Sequence, residues 1–288
     1  MTSQRVLIIA SMIGCLLAGA LLFRATRESE PTCEGKRLDE WVELLAAGNG
    51  SRRAEAEVAL RQMGTNALPH LVRMLRARDS AFKENVRLVA NLQTMVNLRL
   101  SRASDQRSRA LAAFEALGSE ARAAIPDLAD LLNRGENPMD LARALAAVGP
   151  DAIWPLTQAL AHENDEVRAA AAYGLGLLRA EGRVVVPVLV RGLQDKDYAV
   201  RFYAARSLFH LHAEPGLAVP ALIQRLGDTN ALVRRYAARA LGAYKQDARS
   251  AVPALSARVL DPDWNARQAV ILALEMIDPK PEKRPESK

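Results

Sequence analysis

Three prolines constrain this chain more than anything else in it: Pro187, Pro220 and Pro253 stand 33 residues apart. At fixed distances behind each come an aspartate (Asp195, Asp228, Asp261), an arginine (Arg201, Arg234, Arg267) and a leucine (Leu208, Leu241, Leu274). A period in this range marks stacked supersecondary units, so the fold is read from the repeat. Each proline falls early in a first helix, where a missing N–H is tolerated, or kinks it. Val188, Leu189 and Leu193 supply the buried stripe of such a helix. Asn164, Asp197, Asn230 and Asp263 each precede an arginine by four residues and are placed to cap a second helix. Ala204, Ala205, Ala237 and Ala238 let neighbouring second helices approach closely. One unit cannot bury its own apolar face, so stacking makes the core.

Traced backwards, the unit loses regularity. Pro155 anchors a copy with Glu163 in the aspartate place and Arg168 one residue early. Around Pro126, Leu145 takes the leucine place and Pro138 the arginine place, which predicts a bend or a weak interface there. From Pro69 to Phe114 is 45 residues, against 21 from Pro187 to Leu208, so this unit holds about 24 extra residues. Val86, Val89, Leu92, Met95, Val96 and Leu100 follow a helical stripe, which makes the insertion, about 79–106, an added or extended helix. The first unit carries Leu38, Trp41, Val42 and Leu45 and breaks at Gly48-Asn49-Gly50, where Asn49 can cap the next helix. It lacks the proline, as terminal repeats often do. The expected fold is all-α: a right-handed α-solenoid of about seven helical hairpins over 36–278, after an N-terminal transmembrane helix. Residues 279–288 form a charged, proline-rich tail with nothing to bury, and disorder is expected there.

The amino terminus stands outside the repeat. Val6 to Phe23 is an uncharged run long enough to be a candidate for crossing a bilayer core. Cleavage after Ala18-Gly19-Ala20 would leave Leu21-Leu22-Phe23 exposed, and lipidation at Cys15 would leave an apolar mature terminus, so an uncleaved anchor over 1–27 is favoured. A short polar linker, 28–35, follows. The short leading flank places the repeats outside the cytoplasm, in the periplasm, on a single-pass anchor; Arg24 and Arg27 argue the other way. Half the residues are apolar and aromatics are few, which suits closely packed helices. Residues 70–109 hold nine Lys/Arg against three acidic residues, an excess equal to the chain's formal charge of +6. That segment reads as a solvated helix face first, an anionic lipid surface second and a nucleic-acid contact third.

The proline, acid, arginine and leucine pattern resembles HEAT repeats, in particular the short bacterial HEAT-like repeats related to phycobilin-lyase and scaffold proteins, and covers about residues 36–278. The resemblance implies an Asp–Arg ladder along the stack, built from Asp195, Arg201, Asp228, Arg234, Asp261 and Arg267, with each aspartate bonded to an arginine of its own or an adjacent unit. The segment from Pro31 to Leu38 also resembles the entry to HEAT domains of anchored bacterial proteins.

Catalysis finds little support in the residues. Some HEAT-like proteins are di-iron hydroxylases with several His-Glu pairs, but here the one pair, His162-Glu163, falls in a turn. His210 and His212 are two apart and point in different directions on a helix. The two cysteines, Cys15 and Cys33, make no CxxC. No metal, cofactor or enzymatic activity is expected. Binding is the better reading. Counted from the ladder arginine, positions +1, +5 and +8 lie opposite the core-facing positions and line the concave side. They include Tyr173, Phe202, Arg206, Phe209, Arg235 and Arg239, residue types enriched in binding hot spots. The arginines among them are expected to be exposed, the phenylalanines either exposed or packed. Trp154 and Trp264, beside helix starts, are read as packing residues. The expected function is a membrane-anchored scaffold that binds a protein partner. A lyase-like protein holding a small ligand and a DNA-binding solenoid are the alternatives.

Overall fold

The computed structural model describes residues 30–48, 50–79 and 102–278. Their helices pair into seven hairpins: α1 (Leu38–Ala47) with α2 (Gly50–Met63), α3 (Leu68–Leu75) with α4 (Ala103–Leu117), α5 (Ile125–Asn133) with α6 (Pro138–Val148), α7 (Ile153–Ala159) with α8 (Asp165–Leu177), α9 (Gly182–Gly192) with α10 (Tyr198–Leu211), α11 (Pro215–Arg225) with α12 (Ala231–Tyr244), and α13 (Val252–Ser256) with α14 (Trp264–Ile277). The architecture is an all-α solenoid. Across the end of the expected linker and the start of the repeat stretch, Thr32–Cys33 (β1) pairs antiparallel with Lys36–Arg37 (β2), turning through Glu34 and Gly35, both at positive φ. This hairpin packs against α1 and α2. Trp41 is fully buried beneath it and donates from Nε1 to the Cys33 carbonyl at 3.0 Å.

Local chemistry explains the hairpins. Asn164, Asp197, Asn230 and Asp263 each accept a backbone N–H from the first turn of the helix they precede, satisfying donors that the helix itself cannot. Pro69, Pro126 and Pro253 sit in the first turn of their helices, whereas Pro187 and Pro220 lie inside longer ones. Second helices often end on a residue at positive φ: Gly118 and Gly149, then His212 and Lys245 without glycine's freedom. One continuous core of Leu, Val and Ala side chains runs through all seven hairpins. The second helices approach most closely. A Cβ at Gly242 would lie 2.9 Å from Ala273 Cα, and one at Gly174 2.9 Å from the Ala142 carbonyl oxygen. Tighter spacing in this layer bends the stack towards it, so the second helices form the inner layer.

The register differs from the sequence reading in one unit. Trp154, not Pro155, stands 33 residues before Pro187. Trp154 shares the exposed place of Pro187, and Pro155 is buried as Val188 is. The aspartate place then belongs to His162 and not Glu163. His162 Nδ1 accepts the Asn164 N–H at 3.1 Å, the bond that Asp195 Oδ1 makes with the Asp197 N–H at 2.8 Å. Trp154 and Trp264 are not packing residues: they are 71% and 62% exposed, because each sits on the outward side of its helix start.

The bend or weak interface expected at Pro138 falls on one side of α6, which meets α4 less extensively than the second helices further along the stack meet one another. Pro138 starts α6 after Asn137, which is left-handed (φ 44) and donates from Nδ2 to the Leu75 carbonyl at 3.1 Å. On the other side, the Gly174–Ala142 approach locks α6 against α8. The single-pass membrane placement, with the repeats in the periplasm, is corrected: among the described residues no helix is long and apolar enough to cross a membrane. The Val6–Phe23 run that carried that expectation lies outside the described residues, as do the Asn49 cap, most of the insertion and the tail.

Candidate partner-binding face

Two sets of arginines run along the inner layer, and the structure uses them differently. The first set forms the rungs between units. Arg168 forks onto Asp195 (Nε–Oδ2 2.8 Å, Nη2–Oδ1 3.1 Å), Arg201 onto Asp228 (2.7 and 2.9 Å) and Arg234 onto Asp261 (2.7 and 2.8 Å). Each aspartate carboxylate therefore bonds the arginine of the preceding unit, not its own. Each arginine also turns Nη1 back to carbonyls of its own turn: Arg201 to those of Asp195 and Lys196, both at 2.9 Å. The aspartate's second duty is to accept the N–H two residues on, as Asp228 does from Asn230 at 3.0 Å. Burial alone would raise the Asp228 pKa, but the Arg201 fork, the Asn230 N–H and nearby Arg225 outweigh it and hold the carboxylate below its ordinary range. For Asp261 the Arg234 fork is the leading cause of the same lowering. Arg107 also reaches the next hairpin, donating from Nε to Asp140 of α6 at 2.8 Å, and from Nη1 across the insertion to the Ala77 carbonyl at 2.8 Å. Among the described residues Arg267 makes the carbonyl contact, to Asp261, without a carboxylate fork, and lies over the Trp264 ring at 5.3 Å.

The second set is Arg206, Arg235 and Arg239. They have no carboxylate partner among the described residues, and each lies over an aromatic ring. Arg206 stands 5.5 Å from the Tyr173 centroid, Arg235 5.9 Å from Tyr236, and Arg239 4.7 Å from Phe209 and 5.1 Å from Tyr236. The rings form a chain across three helices. Tyr173 of α8 meets Tyr203 of α10 at 5.7 Å, Tyr203 meets Phe202 edge-on at 4.8 Å, and Phe202 meets Tyr236 of α12 edge-on at 5.0 Å. Tilted and edge-on contacts are the arrangements aromatic pairs prefer. The six residues singled out from sequence thus come together on one face. The expectation that the arginines stand free is corrected: all three are half-buried, because the rings hold them down.

Sequence reasoning missed Tyr203 and Tyr236. Both lie two residues past a ladder arginine, on the flank of the helical wheel, yet the offset between stacked helices brings that flank against +1 and +5 of the preceding unit. Gly176 and Gly242, at position +8 of their helices, do not lie open: both sit at helix–helix interfaces, against Ser207 and Ala273. Buried Ser207 pins α10 to α8 through a bond to the Ala172 carbonyl at 2.9 Å.

At the carboxy-terminal end of α10 the face is cationic. His210 and the helix cap His212 both pack edge-on against Phe209, at 5.0 and 6.0 Å. Burial, then the charges of Arg179, Arg206, His212 and Arg239, lower the His210 pKa from its ordinary 6.5. At the other end of the same helices a cleft of about 480 Å³ is lined by Met139, Asp165, Glu166, Tyr198 and Tyr203, among others. Among the described residues, no three His, Cys, Asp or Glu side chains converge as metal ligands. Of the basic segment 70–109, Arg76 and Arg78 pair with Glu136, Arg107 with Asp140 and Arg109 with Glu43.

Residues 153–215 and 219–286 match the family of HEAT repeats. One curated relative, the ATP phosphoribosyltransferase regulatory subunit of Anaeromyxobacter sp. (strain K), is 39% identical over 122 residues. The match takes in 41% of this chain and 34% of that protein, so the chain spans about a third of the relative's length. Among solved structures, a designed armadillo repeat protein is 18% identical with a TM-score of 0.44, covering 73% of this chain and all of its own. An engineered protein is 22% identical with a TM-score of 0.43, covering 83% of this chain and 96% of its own. Human deoxyhypusine hydroxylase, solved with glycerol, is 20% identical with a TM-score of 0.37, covering 83% and 84%. Residues 153–215 and 219–286 of this all-α solenoid thus match HEAT repeats.

Proposed function

We propose that the chain is a protein-interaction repeat protein that captures a polypeptide partner on the inner face of α8, α10 and α12 and carries no catalytic activity of its own. One observation carries this reading: Arg206, Arg235 and Arg239 are held over aromatic rings without a carboxylate partner among the described residues, while the ladder arginines of the same helices are consumed by the fold. Folding requires the ladder and gives no reason for the second set. A rigid floor of aromatic rings with arginines fixed on it is the composition of a binding hot spot. The matched relative's printed name, a regulatory subunit, is in keeping with action through a partner.

The test replaces Arg206, Arg235 and Arg239 together by Gln and compares partner capture with that of the unaltered chain. Capture falls away while helical circular dichroism stays the same. Unaltered capture would defeat the reading.

A further inference from the structure

We infer that the arginine end of this face takes a carboxylate-bearing stretch of polypeptide, an acidic segment and not a nucleic acid; this rests on the protein-binding reading above and names the chemistry of the partner. A guanidinium held over an aromatic face spends no N–H donor on the ring, so its edge stays free for hydrogen bonds. That edge is the one that grips a carboxylate with two parallel bonds. The rungs show this preference within the molecule, since Arg168, Arg201 and Arg234 each take an aspartate in that two-pronged way. Arg206 and Arg239 are held for the same contact by Tyr173, Phe209 and Tyr236. Because the rings already restrain them, less side-chain freedom is lost on binding than for arginines free in water.

The sign of the surroundings agrees. His210 lies in the field of Arg179, Arg206, His212 and Arg239, so this end gathers positive charge, and Glu214 there is drawn towards Arg183 at 3.8 Å. The opposite end of the same helices excludes a polyphosphate. Asp165 and Glu166, beside Tyr203, line the cleft there, and a nucleic-acid strand following the inner layer would bring its phosphates against them. A polypeptide meets no such conflict, since an acidic stretch can lie over Arg206 and Arg239 while neutral or basic residues pass Asp165 and Glu166.

The experiment uses the full chain and three fluorescent probes: a short glutamate-rich peptide, a lysine-rich peptide of the same length and a single-stranded oligonucleotide. Anisotropy is read for the unaltered chain, for the double variant Arg206→Gln/Arg239→Gln, and for Arg249→Gln, an exposed arginine that pairs with Asp278 at 3.9 Å. The glutamate-rich peptide binds best, the double variant weakens it by about tenfold or more, and Arg249→Gln leaves it unchanged. Three results would overturn the inference: tighter binding of the oligonucleotide, retained affinity in the double variant, or no binding of the glutamate-rich peptide. If partner capture still depends on the three arginines while the glutamate-rich peptide fails, the acidic chemistry is wrong and the protein-binding reading stands.

Discussion

Arg201 and Asp228 meet through two parallel bonds, Nε to Oδ2 at 2.7 Å and Nη2 to Oδ1 at 2.9 Å, with both side chains almost out of water. Arg201 reaches forward to the next unit and back to its own turn, so one side chain ties two hairpins and closes a loop. Replacing Asp228 by Ala leaves the Arg201 charge buried without its partner, and the expected loss is about 3 kcal/mol or more. Urea unfolding followed by circular dichroism measures it. A loss under about 1 kcal/mol would mean that the rung is an ordinary surface pair.

The same rungs set the response to acid. Asp228 and Asp261 have folded pKa values below their ordinary 3.8. A carboxylate with a depressed folded pKa contributes stability that is fully present above the unfolded value and disappears as pH falls through the folded one. Stability therefore drops as pH falls below about 4. In Asp228→Asn the slope in that window is shallower, as denaturant midpoints taken across it would show. An unchanged slope contradicts the assignment.

Glycine separates close packing from mere propensity. A Cβ at Gly176 would overlap the side chain of Ser207 and come within 2.9 Å of its Cα, so Gly176→Ala pushes α8 from α10. The expected cost is about 1–3 kcal/mol. Nothing lies within 4 Å of a Cβ at Gly216, and Gly216→Ala is neutral or stabilising by a few tenths of a kcal/mol. Thermal midpoints of the two variants should move in opposite directions or differ clearly in size.

The tryptophans give a second contrast. Trp154→Ser, at a residue 71% exposed, changes stability by less than about 0.5 kcal/mol, whereas Trp41→Ser, at 1% exposed, costs about 3–5 kcal/mol. Equal effects in a denaturant titration would restore Trp154 to the core.

The ladder was legible in the sequence because its chemistry is local and repeats at one spacing. Asp228 accepts the N–H two residues on, Asn230 caps the helix after it, and Arg234 returns to the Asp228 carbonyl at 3.0 Å. Each duty fixes a residue type at a fixed offset. The register at Trp154 was hidden because Pro155, one residue later, offered the expected residue in the wrong place, and because the unit before it sends no arginine that would require an aspartate at His162. The aromatic chain was only half legible. Phe202 and Tyr173 lie on the face that the helical wheel assigns, but Tyr203 and Tyr236 join it through the offset between neighbouring helices, and a wheel drawn for one helix carries no record of that offset.

His210 links binding to protons. Burial and the nearby cations hold it neutral below its ordinary 6.5. A carboxylate docked on Arg206 and Arg239 offsets that field and raises the folded pKa, so binding takes up a proton. The acidic probe therefore binds more tightly as pH falls from 6.5 towards the lowered value, before its own carboxylates protonate near 4. His210→Ala removes this dependence. Affinity that is flat over that range in the unaltered chain contradicts the coupling.

The central claim, that the inner face of α8, α10 and α12 is where a partner polypeptide sits, is tested most directly by photocrosslinking in the cell. A photoreactive phenylalanine analogue is placed at Tyr173 or Phe202 on the inner face, and at Gln158 or Gln224 on the first helices outside. Discrete protein adducts from the inner positions alone, lost when Arg239 is also replaced by Gln, are the predicted result. Adducts of equal yield from Gln158 and Gln224, or inner-face adducts indifferent to Arg239, would contradict it.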